Sequence, residues 1–237
     1  MTTISPKALP VDQCGAAEAQ GLAQRGSWLV CLALLAATLA VYWPVRQFEF
    51  LNYDDLDGIV RDPAIRGGLS WPGVVWACQN HHLGNWQPLT SLSHMLDCQW
   101  FGLRPGPPHL VNLAFHLANT LLLFLLLQRL TGPRWRSAFV AALFALHPLH
   151  VESVAWVSER KDVLSAFFFM LTLLAYGRWA RKSEGRNPKT EGSPKTETRM
   201  TGGTHHVSRF TFHAPRSTLY ALSLLFFALG LMSKPCW

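Results

Sequence analysis

The stretch His147-Pro-Leu-His-Val-Glu-Ser-Val-Ala-Trp-Val-Ser-Glu-Arg-Lys-Asp162 decides the fold class of this chain, because it sets seven ionisable side chains between two apolar runs, 138–146 and 163–176. An ionisable group at a bilayer boundary is costly unless it is paired or faces water, so such groups mark functional sites by default. The stretch therefore predicts a membrane protein that handles a polar ligand of anionic character at the membrane edge.

The composition agrees with a membrane protein. Of the 237 residues, 49% are hydrophobic and 15% are charged, against about 25% charged residues in soluble domains. The formal net charge of +7 comes from basic residues gathered in short segments beside the apolar runs. That distribution is the topology signal of membrane proteins and not a nucleic-acid-binding stripe, so we expect no nucleic-acid partner.

The apolar runs predict an all-α polytopic membrane protein with about five transmembrane helices and with interfacial helices in its external loops. The run 138–146 is too short to cross about 30 Å of hydrocarbon alone. It crosses only if Ser137 lies near one face and the cluster from His147 lies near the other face or in a water-filled cavity. The remaining spans are expected at 28–45, 110–127, 163–180 and from 219 onward.

Basic residues orient these spans. The connector 128–137 holds three arginines and the loop 178–217 holds nine Lys or Arg, whereas the much longer loop 46–109 holds only four. The positive-inside rule places the first two connectors in the cytoplasm. The loop 46–109 and the segment 147–162 are then expected on the external face together.

This topology predicts four regions along the chain. A cytoplasmic tail, 1–27, precedes a membrane domain, 28–182, and a disordered cytoplasmic linker, 183–208, precedes the final span in 209–237. The linker repeats the letters PKTE and is rich in Gly, Ser and Thr, a composition that cannot bury a core. Its His205-His206 pair lacks the third ligand that a metal site needs.

Three carboxylates crowd the start of the external loop in the run Asp54-Asp55-Leu56-Asp57. Such crowding raises a pKa or recruits a cation. A carboxylate here is a candidate base for an attacking hydroxyl, or Asp55 and Asp57 are candidates to share a divalent cation that also holds a phosphate. A solvated turn explains the run equally well, since Asp is common at turns and helix N-caps.

Further along the loop, hydrogen-bonding side chains alternate with aromatic ones: the residues concerned are His81, His82, Asn85 and Trp86. They are candidate contacts for a sugar acceptor or a lipid headgroup at the interface. The alternative is that they cap short interfacial helices. In the second span, His109, Asn112, His116 and Asn119 share one helical face, which is typical of hydrogen bonds to neighbouring helices.

Arg160 and Lys161 lie on the external side, where the positive-inside rule expects few cations. A phosphate on a lipid carrier explains the pair, because Arg binds phosphate with two parallel hydrogen bonds. The alternative is local neutralisation by Glu159 and Asp162. We favour the phosphate, because the violation of the rule needs a cause.

Four motifs resemble one known family: Asn52-Tyr-Asp-Asp55, Asn85-Trp-Gln-Pro-Leu-Thr90, Ser93-His-Met-Leu-Asp97 and His147-Pro-Leu-His-Val-Glu152 continuing through Arg160-Lys-Asp162. The resemblance is to the membrane region of bacterial tetratricopeptide-repeat proteins, which are similar to the animal transmembrane and tetratricopeptide-repeat-containing O-mannosyltransferases. It covers about 41–234 apart from the linker.

The resemblance implies a glycosyltransferase of the C-type fold in a bacterial inner membrane, with a polyprenyl-phosphate sugar donor and a protein or glycan acceptor as partners beside the membrane lipids. It implies that Asp54 or Asp55 is the base, and that His147, His150, Glu152 and Arg160 line the donor pocket, with Arg160 facing the phosphate. No cofactor is certain, and a divalent cation stays open. Family members continue into more spans and repeats, so we expect this chain to be a truncated member.

Two functions of other classes compete with glycosyl transfer. A transporter needs charged groups deep inside its spans, and the first, fourth and fifth spans carry none at mid-depth. A catalytically inactive membrane anchor or scaffold of a tetratricopeptide-repeat protein is consistent with the truncation.

Overall fold

The computed structural model describes residues 12–184 and 215–234, with side chains described over 26–182 and 215–234. The His205-His206 pair and almost all of the predicted linker lie outside these residues. Within them the chain is helical, and the only extended pairing is an isolated bridge between His82 and Asn85.

The described part of the chain contains nine α-helices joined by short 3-10 and π turns. They are α1 Asp12–Tyr42, α2 Pro63–Arg66, α3 Trp71–Gln79, α4 Pro88–Phe101, α5 Gly106–Thr131, α6 Arg134–Leu146, α7 Val151–Ala155, α8 Arg160–Glu184 and α9 Arg216–Ser233.

Four helical stretches are long and apolar enough to cross a membrane, namely Gly26–Gln47, Gly106–Thr131, Val157–Lys182 and Arg216–Ser233. A fifth span exists if α6 and the bent stretch Pro148–Ala155, which turn by 51° between them, are counted together. The protein is therefore an all-α polytopic membrane protein, as the sequence predicts.

The third span is short for a local reason. The 13 residues of α6 extend only about 20 Å at 1.5 Å per residue. His147 adopts an extended conformation with φ −67° and ψ 131°, because the proline that follows it excludes the helical region. The chain then continues through a 3-10 turn and α7, so the break at His147 is built into the sequence.

Two helix starts differ from the expected spans. α1 begins at Asp12, so the predicted cytoplasmic tail 1–27 is helical from that residue onward. α8 begins at Arg160 instead of Val163, which places Arg160 and Lys161 in the first turn of a membrane helix. The residues expected to be interfacial cations are thus part of the bundle itself.

The long loop 46–109 folds as a cap over one end of the bundle. Its helices bury Ile65, Ala77 and Met95 against Val157, which precedes α8. The hydroxyl of Thr90, in α4, donates a hydrogen bond of 2.8 Å to the carbonyl of Ser233 at the end of α9. The loop, the segment 147–162 and the end of α9 therefore meet at one end of the bundle, called the polar end below.

The guanidinium of Arg160 is completely buried at the polar end. It donates from Nε to Asn112 Oδ1 at 2.8 Å and from Nη2 to the carbonyl of Pro108 at 2.8 Å. Nη1 contacts Ser93 Oγ at 3.1 Å and forms an ion pair with Asp97. These bonds connect α4, α5 and α8, and a buried charge persists only with such complete pairing.

We expect either Arg160→Met or Asp97→Leu to destabilise the protein by about 3–5 kcal/mol, because each leaves its partner as an uncompensated buried charge. The double variant should lose less than the sum of the two single variants. Denaturant unfolding in detergent measures these losses. The exposed pair Asp57–Arg61, with a distance of 2.6 Å, is the matched control, and its removal should change stability by about 0.5 kcal/mol or less. Fully additive losses for Arg160 and Asp97 would contradict the pairing.

Candidate functional site

Asp55 connects the two segments that meet at the polar end. Its side chain is fully buried and accepts hydrogen bonds from Ser158 N at 2.9 Å and Ser158 Oγ at 2.5 Å, both on Oδ1. Its Oδ2 accepts from Leu51 N at 3.1 Å. With three donors on a buried carboxylate, Asp55 holds the start of the external loop against the segment before α8.

Asp54 contrasts with its neighbour. It is half-buried, and no residue within 12–184 and 215–234 forms a hydrogen bond or ion pair with its carboxylate. Asp57, the third member of the acidic run, pairs instead with Arg61 on the surface. Of the three carboxylates, Asp54 is therefore the one left available to an incoming hydroxyl.

His82 is held by the carboxylate of Asp62 and lies within electrostatic range of Asp54. Its Nδ1 is 3.5 Å from Asp62 Oδ2, and the side chain is 4% exposed. Burial lowers the pKa of His82 below its usual value, while the negative charges of Asp62 and Asp54 oppose this and the positive charge of Lys161 adds to it. His82 is thus a neutral imidazole at pH 7. The charges of Asp54 and Lys161 both influence its pKa.

Gly58 makes room for this histidine. A Cβ at position 58 would lie 2.7 Å from Leu83 Cδ1 and 3.1 Å from His82 Nε2. A side chain at position 58 would therefore push the Leu83 side chain aside and press on the edge of the His82 ring.

His94 lies within electrostatic range of His82, Arg160 and Lys161. It is not among the site residues that the sequence predicts. It is 2% exposed, and its pKa is lowered well below the usual value, first by burial and then by the positive charges of Arg160, His82 and Lys161. His94 and Asp97 both lie in the Ser93–Asp97 motif that carries the family resemblance, which was the signal available for finding them.

The structure contradicts the assignment of Arg160 to the donor phosphate. The hydrogen bonds to Asp97, Asn112, Ser93 and Pro108 occupy its guanidinium, and the residue is inaccessible. Lys161, the neighbouring cation, is more accessible than Arg160. Its Nζ contacts Glu159 Oε1 at 2.8 Å, and its side chain is 17% exposed, so it retains donors for another anion.

The residues expected to line the donor pocket with Arg160 do not form one pocket. His147 is exposed, and its Nδ1 accepts from Leu149 N at 3.3 Å. The ring of His150 lies 4.5 Å from that of Phe144 between centroids, tilted by 51°, and His150 lines a cleft of about 270 Å³. Glu152 is exposed and lines a separate groove of about 580 Å³ formed with residues 47–52.

The carboxylates of Asp55 and Asp57 have separate partners. Asp55 accepts three hydrogen bonds from Ser158 and Leu51, whereas Asp57 pairs with Arg61. Among the described residues, no group of three or more His, Cys, Asp or Glu side chains is arranged to hold a metal ion. A cation shared by these two residues stays a prediction, and the separate partners of the two carboxylates weigh against it.

The candidate acceptor contacts form a tight turn that shapes its own loop. His82 and Asn85 are bridged through their backbones, and the Nδ2 of Asn85 donates to the carbonyl of Leu83 at 3.3 Å. The Nε1 of Trp86 donates to the carbonyl of Cys78 at 2.9 Å. Of the four, His81 is exposed and His82 contacts Asp62, while the polar groups of Asn85 and Trp86 maintain the turn.

Comparison with known proteins identifies relatives but no solved fold. No protein-family model and no solved structure matches the chain. The chain is 36% identical over 169 residues to human protein O-mannosyl-transferase TMTC1, covering 67% of this chain and 18% of the relative. It is 33% identical over 168 residues to the Drosophila melanogaster protein O-mannosyl-transferase Tmtc2, with the same two coverages.

A third relative is mouse protein O-mannosyl-transferase TMTC3, 38% identical over 152 residues, which are 60% of this chain and 16% of the relative. The chain is therefore related to the animal protein O-mannosyl-transferases, as the motifs predict. It spans about a fifth of the length of the curated relatives that it matches.

The lowered pKa values of His82 and His94 predict acid sensitivity. In the unfolded chain these groups protonate near pH 6.5, whereas in the folded chain they stay neutral to a lower pH. Their contribution to stability is therefore complete above about pH 6.5 and is lost as the pH falls through the folded pKa values, by up to about 1.4 kcal/mol per pH unit for each group.

Thermal unfolding between pH 7.5 and 5 measures the slope of stability against pH. We expect His94→Gln to flatten it and His81→Gln, at the exposed neighbouring histidine, to leave it unchanged. An equal slope in wild type and His94→Gln would show that another group controls the acid response.

Proposed function

We propose that this chain provides the base and part of the donor site of a C-type glycosyltransferase, which transfers a sugar from a polyprenyl-phosphate carrier to a hydroxyl acceptor at the external membrane face. The relationship to proteins named O-mannosyl-transferases supports sugar transfer. The observation that carries the proposal is the contrast between Asp55, fixed by Ser158 and Leu51, and Asp54, which has no hydrogen-bond or ion-pair partner among the described residues and lies within electrostatic range of His82.

In this proposal Asp54 is the general base. The acceptor hydroxyl gives its proton to the Asp54 carboxylate as its oxygen attacks the anomeric carbon of the sugar. The bond from that carbon to the carrier phosphate oxygen breaks, so the configuration inverts and polyprenyl phosphate leaves. A positioned base of this kind contributes about 10²–10⁴-fold to the rate.

Lys161 is the proposed cation for the leaving phosphate in place of Arg160. It lies on the first turn of α8, its charge acts on both His82 and His94, and its side chain remains partly accessible. Glu159, its hydrogen-bond partner among the described residues, orients the ammonium without using all three of its donors.

His82 is proposed as a neutral hydrogen-bond donor or acceptor to the reacting sugar, held in orientation by Asp62. His81, Asn85 and Trp86 would then limit the acceptor side of the same loop. His147 and Glu152 lie on the exposed rim of the segment before α8, where they are available to a substrate that spans both loops.

Asp54→Asn should lower sugar transfer by about 10²–10⁴-fold with little change in thermal stability, because Asp54 makes no bond within the described chain. Transfer of labelled mannose from polyprenyl phosphate to a Ser/Thr peptide, in membranes containing the chain, measures this. Asp57→Asn is the matched control and should keep wild-type transfer. Asp55→Asn should lose transfer and stability together, because it weakens the contact with Ser158. Unchanged transfer in Asp54→Asn would refute the base assignment.

The proposed orientation has the N-terminus in the cytoplasm and the polar end outside. In a cysteine-free background, Leu149→Cys, at an 80% exposed position, should react with a membrane-impermeant maleimide on intact cells. Arg181→Cys, at the other end of α8, should react only after permeabilisation. The reverse pattern would place the polar end in the cytoplasm.

A further inference from the structure

A cleft at the polar end contains none of the residues Asp54, His82, His94 and Lys161. It is the cleft of about 270 Å³ that includes His150, and its floor is formed by His116 and Asn119 of α5. One wall carries Phe144 and His150, and the other carries Asp162 and Lys234. We call it the lateral cleft.

The lateral cleft opens between membrane helices. α6 packs on α1 and α5, whereas α8 packs on α5 and α9. Both walls of the cleft therefore contact α5, and the cleft lies between them. Phe144 lies in α6, and Val163, Ser165 and Ala166 lie in α8. A ligand that reaches the cleft therefore passes between transmembrane helices at the depth where α8 begins.

Lys234 supplies the accessible positive charge of the cleft. Its Nζ contacts Asp162 Oδ1 at 2.6 Å, yet its side chain remains 45% exposed. The other carboxylate oxygen of Asp162 accepts from Ser153 Oγ at 3.1 Å. Asp162 is thus held by α7 and orients the ammonium, which has two further N–H donors for an anion.

Asn119 supplies an unmet acceptor on the floor. The residue is 1% exposed, and its Nδ2 donates to the carbonyl of Val163 at 2.8 Å. Its Oδ1 is buried without a hydrogen-bond partner in the described chain. Buried polar groups are normally satisfied, and Asn119 lines the cleft, so an O–H or N–H donor bound there would satisfy this oxygen.

We propose that the lateral cleft binds the phosphate-bearing head of a membrane lipid, with Lys234 and His150 at the phosphate and Asn119 Oδ1 accepting from a hydroxyl of the head. The combination of an accessible cation, a buried acceptor and entry between membrane helices fits an amphiphile better than a soluble anion. The inference rests on the proposed function, since the head of a polyprenyl-phosphate sugar has this chemistry: the lateral cleft holds the head where it enters from the membrane, before its phosphate reaches Lys161.

Binding without turnover tests the proposal. The full chain is purified in a polyoxyethylene detergent, which carries neither phosphate nor sugar, and titrated by native mass spectrometry with polyprenyl phosphate, polyprenyl-phosphate mannose, polyprenol and inorganic phosphate. We expect the two lipid phosphates to bind at least tenfold more tightly than polyprenol or inorganic phosphate, and Lys234→Gln to weaken them about tenfold. Arg178→Gln, exposed near the other end of α8, is the control and should bind as wild type.

The Asn119→Leu variant tests whether Asn119 Oδ1 accepts a hydrogen bond from a hydroxyl of the lipid head. It should remove the preference for polyprenyl-phosphate mannose over polyprenyl phosphate and leave binding of the latter intact. If this buried variant does not fold, the half-exposed Lys234→Gln still decides the phosphate contact.

Equal binding of polyprenol and polyprenyl phosphate, or unchanged affinity in Lys234→Gln, would overturn the proposal. Inorganic phosphate binding as tightly as the lipid phosphates would also overturn it, since the site would then hold a free anion. Asp54→Asn should bind the lipid phosphates normally. Lys234-dependent binding in a chain that transfers no sugar supports the lateral cleft and contradicts only the proposed function.

Discussion

The buried guanidinium of Arg160 is the constraint on which the polar end depends. A charge removed from water is tolerated only when its hydrogen-bond donors find acceptors, and here those acceptors come from α4, α5 and the carbonyl of Pro108. The loop 46–109 must therefore fold down onto the start of α8 before the charge is compensated. A loop of more than sixty residues is thereby anchored to the bundle at a defined point.

Asp55 adds a second connection with a different consequence. Its bonds to Ser158 set the start of the loop against the residues just before α8, next to the Arg160 ion pair. Adjacent residues in a helical turn point about 100° apart, so burying Asp55 turns Asp54 away from the same partners. One aspartate stabilises the arrangement, and the other, without a partner among the described residues, is the one that we propose as the base.

The two sides of the α8 N-terminus then have separate environments. Lys161 acts on the His82 and His94 imidazoles of the cap, whereas Asp162 faces Ser153 and Lys234 in the lateral cleft. If both proposals hold, a lipid-linked head enters from the membrane on one side and an acceptor reaches Asp54 from the other. The short, bent third span leaves room for the cleft, because α6 ends at Leu146 and does not close against α8.

The sequence by itself determined the class of protein, the spans and the residues worth examining, because hydrophobic length and proline placement act locally along the chain. The break at His147 and the motifs around Asp54, His82 and Lys161 were visible in that way. Only the tertiary structure distinguished Asp55 from Asp54, withdrew Arg160 from the donor site, and brought Lys234 to Asp162, 72 residues away in the chain. Burial and hydrogen-bond partners decide whether a charge is structural or available, and both depend on contacts between segments that are distant in sequence.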